Sequence, residues 1–215
     1  MARILITSGP TRQYLDPIRY LTNASSGKMG NALAAAALQA GHDVVIVSGP
    51  VDVEYPDAAE VIHVVSTEEM LEISRGEFEN CQGLIGVAAP CDYRPVKVSD
   101  QKITKNGQPL VLHLEETPDV VATLGAVKGQ RWVVGFALET EDHRFRAITK
   151  LEKKSCDLIV LNEPSAMDAD ENAVEVLDAE GAVVLATQGT KAEVADAVFH
   201  LIDQRHLTDQ RHLTD

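Results

Sequence analysis

The chain has 215 residues, 45% of them hydrophobic, and a net charge of −14 from 19 basic and 33 acidic residues. This apolar content is enough for one sizeable core, so the composition excludes a mainly disordered chain. The acidic balance argues against binding nucleic acid or an anionic membrane, although a local cluster of lysines and backbone N–H groups can still hold an anionic small molecule.

Strands and helices are predicted to alternate along most of the chain. Strands are predicted at 4–6, 43–47, 61–65, 84–89, 132–137 and 158–161, and helices at 27–40, from 67 onwards, at 118–127, 142–154 and 190–202. Residues 173–186 are typical of a hairpin that turns at Glu180-Gly181. This order predicts an α/β fold with a doubly wound, mostly parallel, Rossmann-like sheet that ends in a C-terminal hairpin.

One stretch, about 96–116, breaks the alternation and is predicted to be a β-arm or flap with an Asn106-Gly107 turn. A flap beside a site loop is more often functional than a plain connection. The chain is expected to form a single domain over residues 1–203. The sequence Gln-Arg-His-Leu-Thr-Asp then occurs twice, at 204–209 and 210–215, which predicts a frayed polar tail.

The three cysteines, Cys81, Cys91 and Cys156, are widely spaced and indicate neither a disulfide framework nor a zinc site. A reducing cytoplasm is therefore the expected location. The apolar run at the N-terminus is too short for a signal peptide or a membrane span.

Ligands of doubly wound sheets bind beyond the carboxyl ends of the strands, so the loops there are the candidate site. The segment 23–30, Asn-Ala-Ser-Ser-Gly-Lys-Met-Gly, begins the first helix and offers hydroxyl and N–H groups to an oxyanion. Its spacing matches neither a Walker A motif nor a GxGxxG motif. The alternative is a serine N-cap with glycine for close packing, and the segment alone leaves both interpretations open.

The loop after the fourth strand runs from Gly86 to Pro95 and contains small residues that would let a ligand lie against the backbone. Asp92 in this loop is a candidate for a metal or ligand contact, or else a turn residue that bonds its own backbone. The lysines of the flap and of the fourth helix also have explanations other than ligand binding. Flap lysines can keep an exposed strand edge solvated, and lysines near the end of a helix can complement its dipole. Cys91 is not predicted to be a nucleophile, because no histidine accompanies it at a telling position.

Several motifs follow one another in a fixed order, and they are Gly9-Pro-Thr-Arg12, Leu15-Asp-Pro-Ile-Arg19, Thr22-Asn-Ala-Ser-Ser-Gly-Lys-Met-Gly30, Ala88-Ala-Pro-Cys-Asp-Tyr-Arg-Pro95, Lys102-Ile-Thr-Lys105, Thr117-Pro-Asp119, Val134-Gly-Phe-Ala-Leu-Glu-Thr140 and Asp157-Leu-Ile-Val-Leu-Asn162. Their order resembles that of phosphopantothenate–cysteine ligase, also called phosphopantothenoylcysteine synthetase. The resemblance covers about residues 3–202. In many bacteria this ligase follows a flavin-dependent decarboxylase, and since no such domain precedes Met1, FMN is not expected.

The resemblance implies a coenzyme A biosynthesis enzyme that joins 4'-phosphopantothenate to L-cysteine. The reaction passes through an acyl-nucleotide and releases pyrophosphate and a nucleoside monophosphate. The bacterial form of the 25–30 motif favours CTP over ATP, hence an acyl-cytidylate and CMP, with Mg²⁺ or Mn²⁺ as the cofactor. The implied enzyme is a cytoplasmic homodimer with no nucleic-acid or membrane partner.

The resemblance also implies roles for individual residues. Asn23 and Lys102 would be catalytic, Asp92 would contact the metal, and Arg19 would reach the site of the neighbouring subunit. The implied substrate contacts are Arg19, Asn23, Ala88, Ala89 and Asp92. The implied nucleotide contacts are Gly9, Ser25, Gly27, Gly30, Gly86, Val87, Ala88, Asp92, Lys102, Pro118, Asp119, Val120, Val121, Phe136, Lys150, Lys154 and Asn162.

Two alternatives remain. A dinucleotide-dependent oxidoreductase, using NAD or NADP, needs a glycine-rich turn after the first strand and an acid at the end of the second. This chain has only Gly9-Pro-Thr there, and its second strand ends at Ser48-Gly49-Pro50. A non-catalytic nucleotide-binding module is the other alternative, and the joint presence of Asn23, Asp92 and Lys102 argues against it.

Overall fold

A computed structural model describes residues 1–138, 143–162 and 171–207. The strands are β1 Arg3–Ser8, β2 Arg12–Asp16, β3 Arg19–Thr22, β4 Asp43–Ser48, β5 Glu60–His63, β6 Gly83–Gly86, β7 Tyr93–Pro95, β8 Leu114–Glu116, β9 Trp132–Leu138, β10 Leu158–Asn162, β11 Glu171–Asp178 and β12 Val183–Thr190. The helices are α1 Lys28–Gln39, α2 Thr67–Phe78, α3 Val120–Gly125, α4 His143–Lys153 and α5 Lys191–His206. Residue 142 of the predicted fourth helix, residues 139–140 of one motif and residues 208–215 of the predicted tail lie outside the described ranges.

Eight strands form one sheet in the order β12-β11-β10-β9-β6-β1-β4-β5. The six strands from β10 to β5 pair in parallel, and β11 and β12 pair antiparallel at one edge. The hairpin between β11 and β12 turns at Gly181, whose φ of 76° suits glycine. The predicted doubly wound, mostly parallel sheet with a C-terminal hairpin is thus confirmed.

The central strands are apolar on both faces because helices cover both. In β1, Ile4 and Ile6 pack in one core cluster with Leu33 of α1, while Leu5 packs in the other with Met70 of α2. Residues of α5 join the first cluster, and residues of α3 and α4 join the second. Continuous apolar strands of this kind are typical of buried parallel sheets.

The helix starts differ in how they are capped. Ser66 and Glu69 form a capping box at the start of α2, and Thr190 and Glu193 form one at the start of α5. Helix α1 instead begins after Gly27, with φ 75° and no side-chain cap. The alternative of a serine N-cap at α1 is therefore wrong.

Several boundaries differ from the sequence-based prediction. Residues 12–16 and 19–22, where no strand is predicted, form the antiparallel β2–β3 hairpin. The fourth strand ends at Gly86 rather than at residue 89, and beyond Gly86 the regular ladder gives way to an isolated bridge between Pro10 and Ala89. The predicted flap pairs as a ladder only at its base, where β7 meets β8, and just beyond this ladder the N–H of Val96 donates to the carbonyl of His113 at 2.9 Å.

Helix α5 continues to His206, beyond the predicted domain boundary at 203. The ring of His206 stacks on Trp132 with their centroids 5.8 Å apart, so the first tail residues pack on the sheet. In the part of the chain that the structure describes, no helix has the length and apolar character needed to cross a membrane.

Candidate functional site

A cleft of about 470 Å³ opens at the carboxyl ends of the central strands. Strands β1 and β6 are neighbours in the sheet. From β1 the sheet continues outwards to β4 and β5, and from β6 it continues in the opposite direction to β9 and β10, so the strand order reverses between β1 and β6. Such a reversal leaves a crevice where ligands of doubly wound sheets bind. Its walls come from the segment 23–30, the segment 87–90 with Asp92, Phe136 and Ala137 of β9, and Lys150, Asn162 and Lys191.

Close packing pulls the start of α1 onto the end of β1. A Cβ atom on Gly30 would lie 2.1 Å from Ser8 Oγ, and one on Gly27 would lie 2.9 Å from Val51 Cγ1. The hydroxyl of Tyr55 donates to Ser8 Oγ at 2.8 Å and holds the Ser8 side chain that Gly30 packs against. The first turn of α1 therefore faces the cleft, with N–H groups and a helix dipole that favour an anion.

Asn23 joins the two candidate loops. Its side-chain Nδ2 donates to the carbonyl oxygen of Pro90 at 2.8 Å and to that of Ala89 at 3.4 Å. The N–H of Ala89 in turn donates to the carbonyl of Gly9 at 2.9 Å. The loops that follow β1 and β6 are thereby held side by side at the cleft.

The charge of the larger cleft is opposite to that of the chain. Among the described residues that line it, Lys28, Lys150 and Lys191 are basic and Asp92 alone is acidic. In a chain of net charge −14, these three lysines form a local basic cluster of the kind that can hold an anionic small molecule. Lys28 and Lys191 were not among the predicted contacts. Lys191 lies far along the chain from the other residues that line the cleft. The sequence feature that could have indicated it is the predicted helix start at residue 190, because helix starts favour anionic ligands.

A second, smaller cleft of about 100 Å³ adjoins the first, since Ala88, Pro90, Asp92 and Phe136 line both. The nearby Lys154 Nζ lies 3.1 Å from Asp119 Oδ2. Asp119 also caps α3, because its Oδ1 accepts from the N–H of Ala122 at 3.0 Å. Gly86 forms part of the wall, where a Cβ would lie 2.4 Å from Val121 Cγ2.

The structure brings most of the predicted site residues to these two clefts. Those in the larger cleft are Asn23, Ser25, Gly27, Gly30, Val87, Ala88, Ala89, Asp92, Phe136, Lys150 and Asn162. Those in the smaller cleft are Gly86, Ala88, Asp92, Pro118, Asp119, Val120, Val121, Phe136 and Lys154. The smaller cleft also includes Thr7, Pro90, Cys91 and Thr117, which were not among the predicted contacts.

Three predicted residues do not line either cleft as described. Gly9 has φ 73°, which favours glycine, and a Cβ atom there would lie 2.7 Å from Val51 Cγ1. Backbone conformation and packing therefore both favour glycine at position 9. Arg19 lies at the start of β3, where its guanidinium pairs with Asp16. Lys102 is exposed in the flap.

Cys91 lines the smaller cleft but is buried, and this burial raises the pKa of its thiol. A thiol with a raised pKa is a poor nucleophile, which agrees with the prediction that Cys91 is not one. Among the described residues, no three or more His, Cys, Asp and Glu side chains form a group that fits a metal ion. Asp92 is the single carboxylate among the described residues of the larger cleft, and Asp119 accompanies it in the smaller one.

The family model of the DNA/pantothenate metabolism flavoprotein C-terminal domain matches residues 1–206. The chain is 42% identical over 210 residues to the coenzyme A biosynthesis bifunctional protein CoaBC of Vibrio cholerae, which covers 94% of this chain and 52% of that protein. This chain therefore spans about half the length of the curated relatives that it matches.

Two solved structures are similar as well. The crystal structure of the C-terminal domain of a coenzyme A biosynthesis bifunctional protein CoaBC matches with a TM-score of 0.82 at 37% identity, over 94% of each chain. A Cab2 mutant in complex with phosphopantothenate-cysteine matches with a TM-score of 0.79, over all of this chain and 89% of that one. At 15% identity this second similarity shows the shared fold alone.

Proposed function

Because this chain belongs to the family of DNA/pantothenate metabolism flavoprotein C-terminal domains, we propose that it is a phosphopantothenate–cysteine ligase of coenzyme A biosynthesis. The observation that carries the proposal is the lysine-lined cleft at the start of α1, in which Asn23 bridges the two site loops. The names of the relatives place them in the same biosynthesis.

The proposed reaction has two steps. A carboxylate oxygen of 4'-phosphopantothenate attacks the α-phosphorus of CTP, which forms the acyl-cytidylate and expels pyrophosphate. The amine of L-cysteine then attacks the acyl carbon, loses a proton and expels CMP. Because both substrates of the first step are anions, the site must neutralise charge and hold the reactants in line.

The two clefts divide these tasks in the proposed mechanism. The first turn of α1 and the three lysines of the larger cleft bind anionic groups. The smaller cleft holds the nucleotide through Gly86, the segment 118–121 and Lys154. Lys102 of the flap steadies the phosphates while pyrophosphate leaves.

Asn23 is proposed to serve the reacting carbonyl. One of its amide hydrogens is committed to Pro90 at 2.8 Å, whereas the contact with Ala89 is long at 3.4 Å. The second hydrogen can therefore be given to a substrate oxygen that gains negative charge. The bond to Pro90 fixes the direction of the amide beforehand.

Asp92 fits a divalent cation that is held mainly by nucleotide phosphates. Mg²⁺ and Mn²⁺ prefer oxygen donors, and Mg²⁺ is commonly bound by one or two carboxylates together with phosphates. When bound, the ion would neutralise phosphate charge. The bacterial form of the 25–30 motif supports CTP as the nucleotide.

A homodimer is also proposed. Large exposed apolar residues concentrate on the β2–β3 hairpin and the flap, and these are Tyr14, Ile18, Tyr20, Tyr93, Val96, Val98, Leu110, Val111 and Leu114. Exposed apolar residues concentrated in this way are typical of an interface. In the proposed dimer, the β2–β3 hairpin belongs to the interface and its Arg19 reaches the neighbouring site.

Pyrophosphate release tests the proposed function. We expect release from CTP in the presence of phosphopantothenate, and formation of the amide product only when cysteine is added. A parallel reaction with ATP measures the nucleotide preference. Absence of pyrophosphate with either nucleotide would overturn the proposal and favour a non-catalytic nucleotide-binding module.

A further inference from the structure

We propose that Thr67 is a positioning residue for Asp92. Thr67 is the first residue of α2, is fully buried and is not among the residues described as lining either cleft. It acts through a closed ring of hydrogen bonds under the loop that carries Asp92. The inference rests on the proposed function, in which Asp92 contacts the metal and nucleotide.

The ring joins Thr11, Thr67 and Cys91. The N–H of Cys91 donates to Thr11 Oγ1 at 2.8 Å, and the hydroxyl of Thr67 donates to the carbonyl of Cys91 at 3.2 Å. The two threonine oxygens lie 2.8 Å apart. Because the single hydroxyl hydrogen of Thr67 goes to Cys91, Thr11 must donate to Thr67, and all three bonds then run in one direction around the ring.

The ring determines the position of the residue that follows it. Thr117 adds a second hydroxyl bond to the carbonyl of Cys91, and its N–H donates to the carbonyl of Asp92 at 2.9 Å. On the other side, Asn23 binds the carbonyl of Pro90. The backbone on both sides of the Asp92 side chain is therefore fixed, while the side chain itself is exposed to the clefts.

Among the residues that the structure describes, the hydroxyl of Thr67 contacts only Thr11 and Cys91. The helix start is already capped by the side chain of Ser66, which accepts from Glu69 at 3.1 Å. A valine at 67 would keep the shape of the side chain and remove the hydroxyl. Thr11 would then hold a buried donor without an acceptor, and the loop would lose one of its supports.

The test compares Thr67→Val with Thr67→Ser, which keeps the hydroxyl. We expect Thr67→Val to lower kcat/KM for CTP by about tenfold, the size expected when a buried hydrogen-bonding group loses its partner. Thr67→Ser should stay within about twofold of the parent. Thr187→Val, on strand β12 and outside both clefts, is the matched control and should leave kcat/KM unchanged.

A double-mutant cycle separates positioning from general support of the fold. If Thr67 acts through Asp92, Thr67→Val in an Asp92→Asn background should cost less than about twofold. The same tenfold loss in both backgrounds would overturn the proposal. So would a parental rate for Thr67→Val, or a Thr67→Ser variant as impaired as Thr67→Val.

Hydrogen exchange tests the ring without using activity. The Cys91 N–H should exchange faster in Thr67→Val than in the parent and in Thr67→Ser, and unchanged protection would overturn the role of Thr67. If the parent released no pyrophosphate, the proposed function would fail while this measurement still decided whether Thr67 orders the loop. Should Thr67→Val not fold, Thr67→Cys provides a second variant with a weaker donor and the same expected direction.

Discussion

The buried carboxylate of Asp16 accepts a 3.0 Å hydrogen bond from the backbone N–H of Ile103, a residue 87 positions further along the chain. Arg19 completes the link, because its guanidinium binds Asp16 and also donates to the carbonyl of Ile103 at 3.0 Å. The N–H of Ser99 donates to the carbonyl of Leu15 at 2.9 Å. The turn of the β2–β3 hairpin thus holds the flap beside Lys102.

The first prediction concerns this link. Burial opposes ionisation of Asp16, but hydrogen bonds from the N–H groups of Ile18 and Ile103 outweigh it and, with Arg19, lower its pKa from 3.8 to about 2. The ionised carboxylate therefore stabilises the fold above pH 3.8, and this contribution is lost as the pH falls through about 2. We expect Asp16→Asn to unfold at a lower urea midpoint than the parent at neutral pH. The two midpoints should approach each other as the pH falls below 3.8 towards about 2.

Urea titrations over this pH range, with hydrogen exchange at Ile103, provide the measurement. Asp100→Asn is the matched control, since Asp100 is an exposed acid in the same flap. It should change neither the midpoint nor the exchange. An Asp16→Asn midpoint equal to that of the parent at neutral pH would contradict the link.

The second prediction concerns Lys102, an exposed flap residue beside Ile103. Lys102→Gln removes the charge but keeps most of the stem. It should raise the barrier to pyrophosphate release by roughly 2–4 kcal/mol, as for the loss of a preorganised electrostatic donor. The measurement is a single-turnover assay without cysteine. Lys105→Gln is the comparison, and a larger loss there would move the proposed role from Lys102 to Lys105.

The third prediction concerns Asn23. Asn23→Asp removes the donor to Pro90 and places a carboxylate where negative charge develops on the substrate. Amide formation should slow more than activation, because like charge opposes the developing oxyanion. Mass spectrometry should then detect an accumulated acyl-nucleotide. A variant that turns over at the parental rate would show that Asn23 does not have the proposed role.

The fourth prediction tests the shared site of the proposed dimer. Arg19→Ala and Asn23→Asp should each be nearly inactive alone. After subunit exchange, half of the dimers are mixed, and each carries one intact site, so about a quarter of the parental activity should return. If Arg19 acts only through Asp16 and the flap of its own chain, no activity returns although native mass spectrometry detects the mixed dimer.

The fifth prediction compares two helical glycines. Alanine normally stabilises a helix interior, and Gly76→Ala should raise the free energy of unfolding by about 0.5–1 kcal/mol, since nothing lies within 4 Å of its added Cβ. Gly30→Ala should instead lower it by about 1–3 kcal/mol, because its Cβ would meet Ser8. Thermal and urea unfolding measure both. A stabilising Gly30→Ala would contradict the close packing of α1 on β1.

Local pattern explains which parts of the fold were predictable. The buried strands of the parallel sheet are continuous apolar runs, such as Ile4–Ile6 of β1, and the helices between them begin at recognisable signals such as Ser66 and Thr190. Because these signals lie within a few residues of each other, the sequence alone was sufficient for the βαβ order. That order also located the candidate site at the loops after β1 and β6.

Contacts between distant segments decided the rest. Strands β2 and β3 are only five and four residues long and lack a continuous apolar run, and Asp16 at the end of β2 binds both their turn and the distant flap. Lys191, which follows β12, lines a cleft whose other walls come from much earlier in the chain, and Thr67 of α2 bonds Cys91 of the loop after β6. The sequence by itself determined the elements and their order, since propensity and periodicity are local. The tertiary structure decided the polar contacts, because each depends on two segments brought together by the packed sheet.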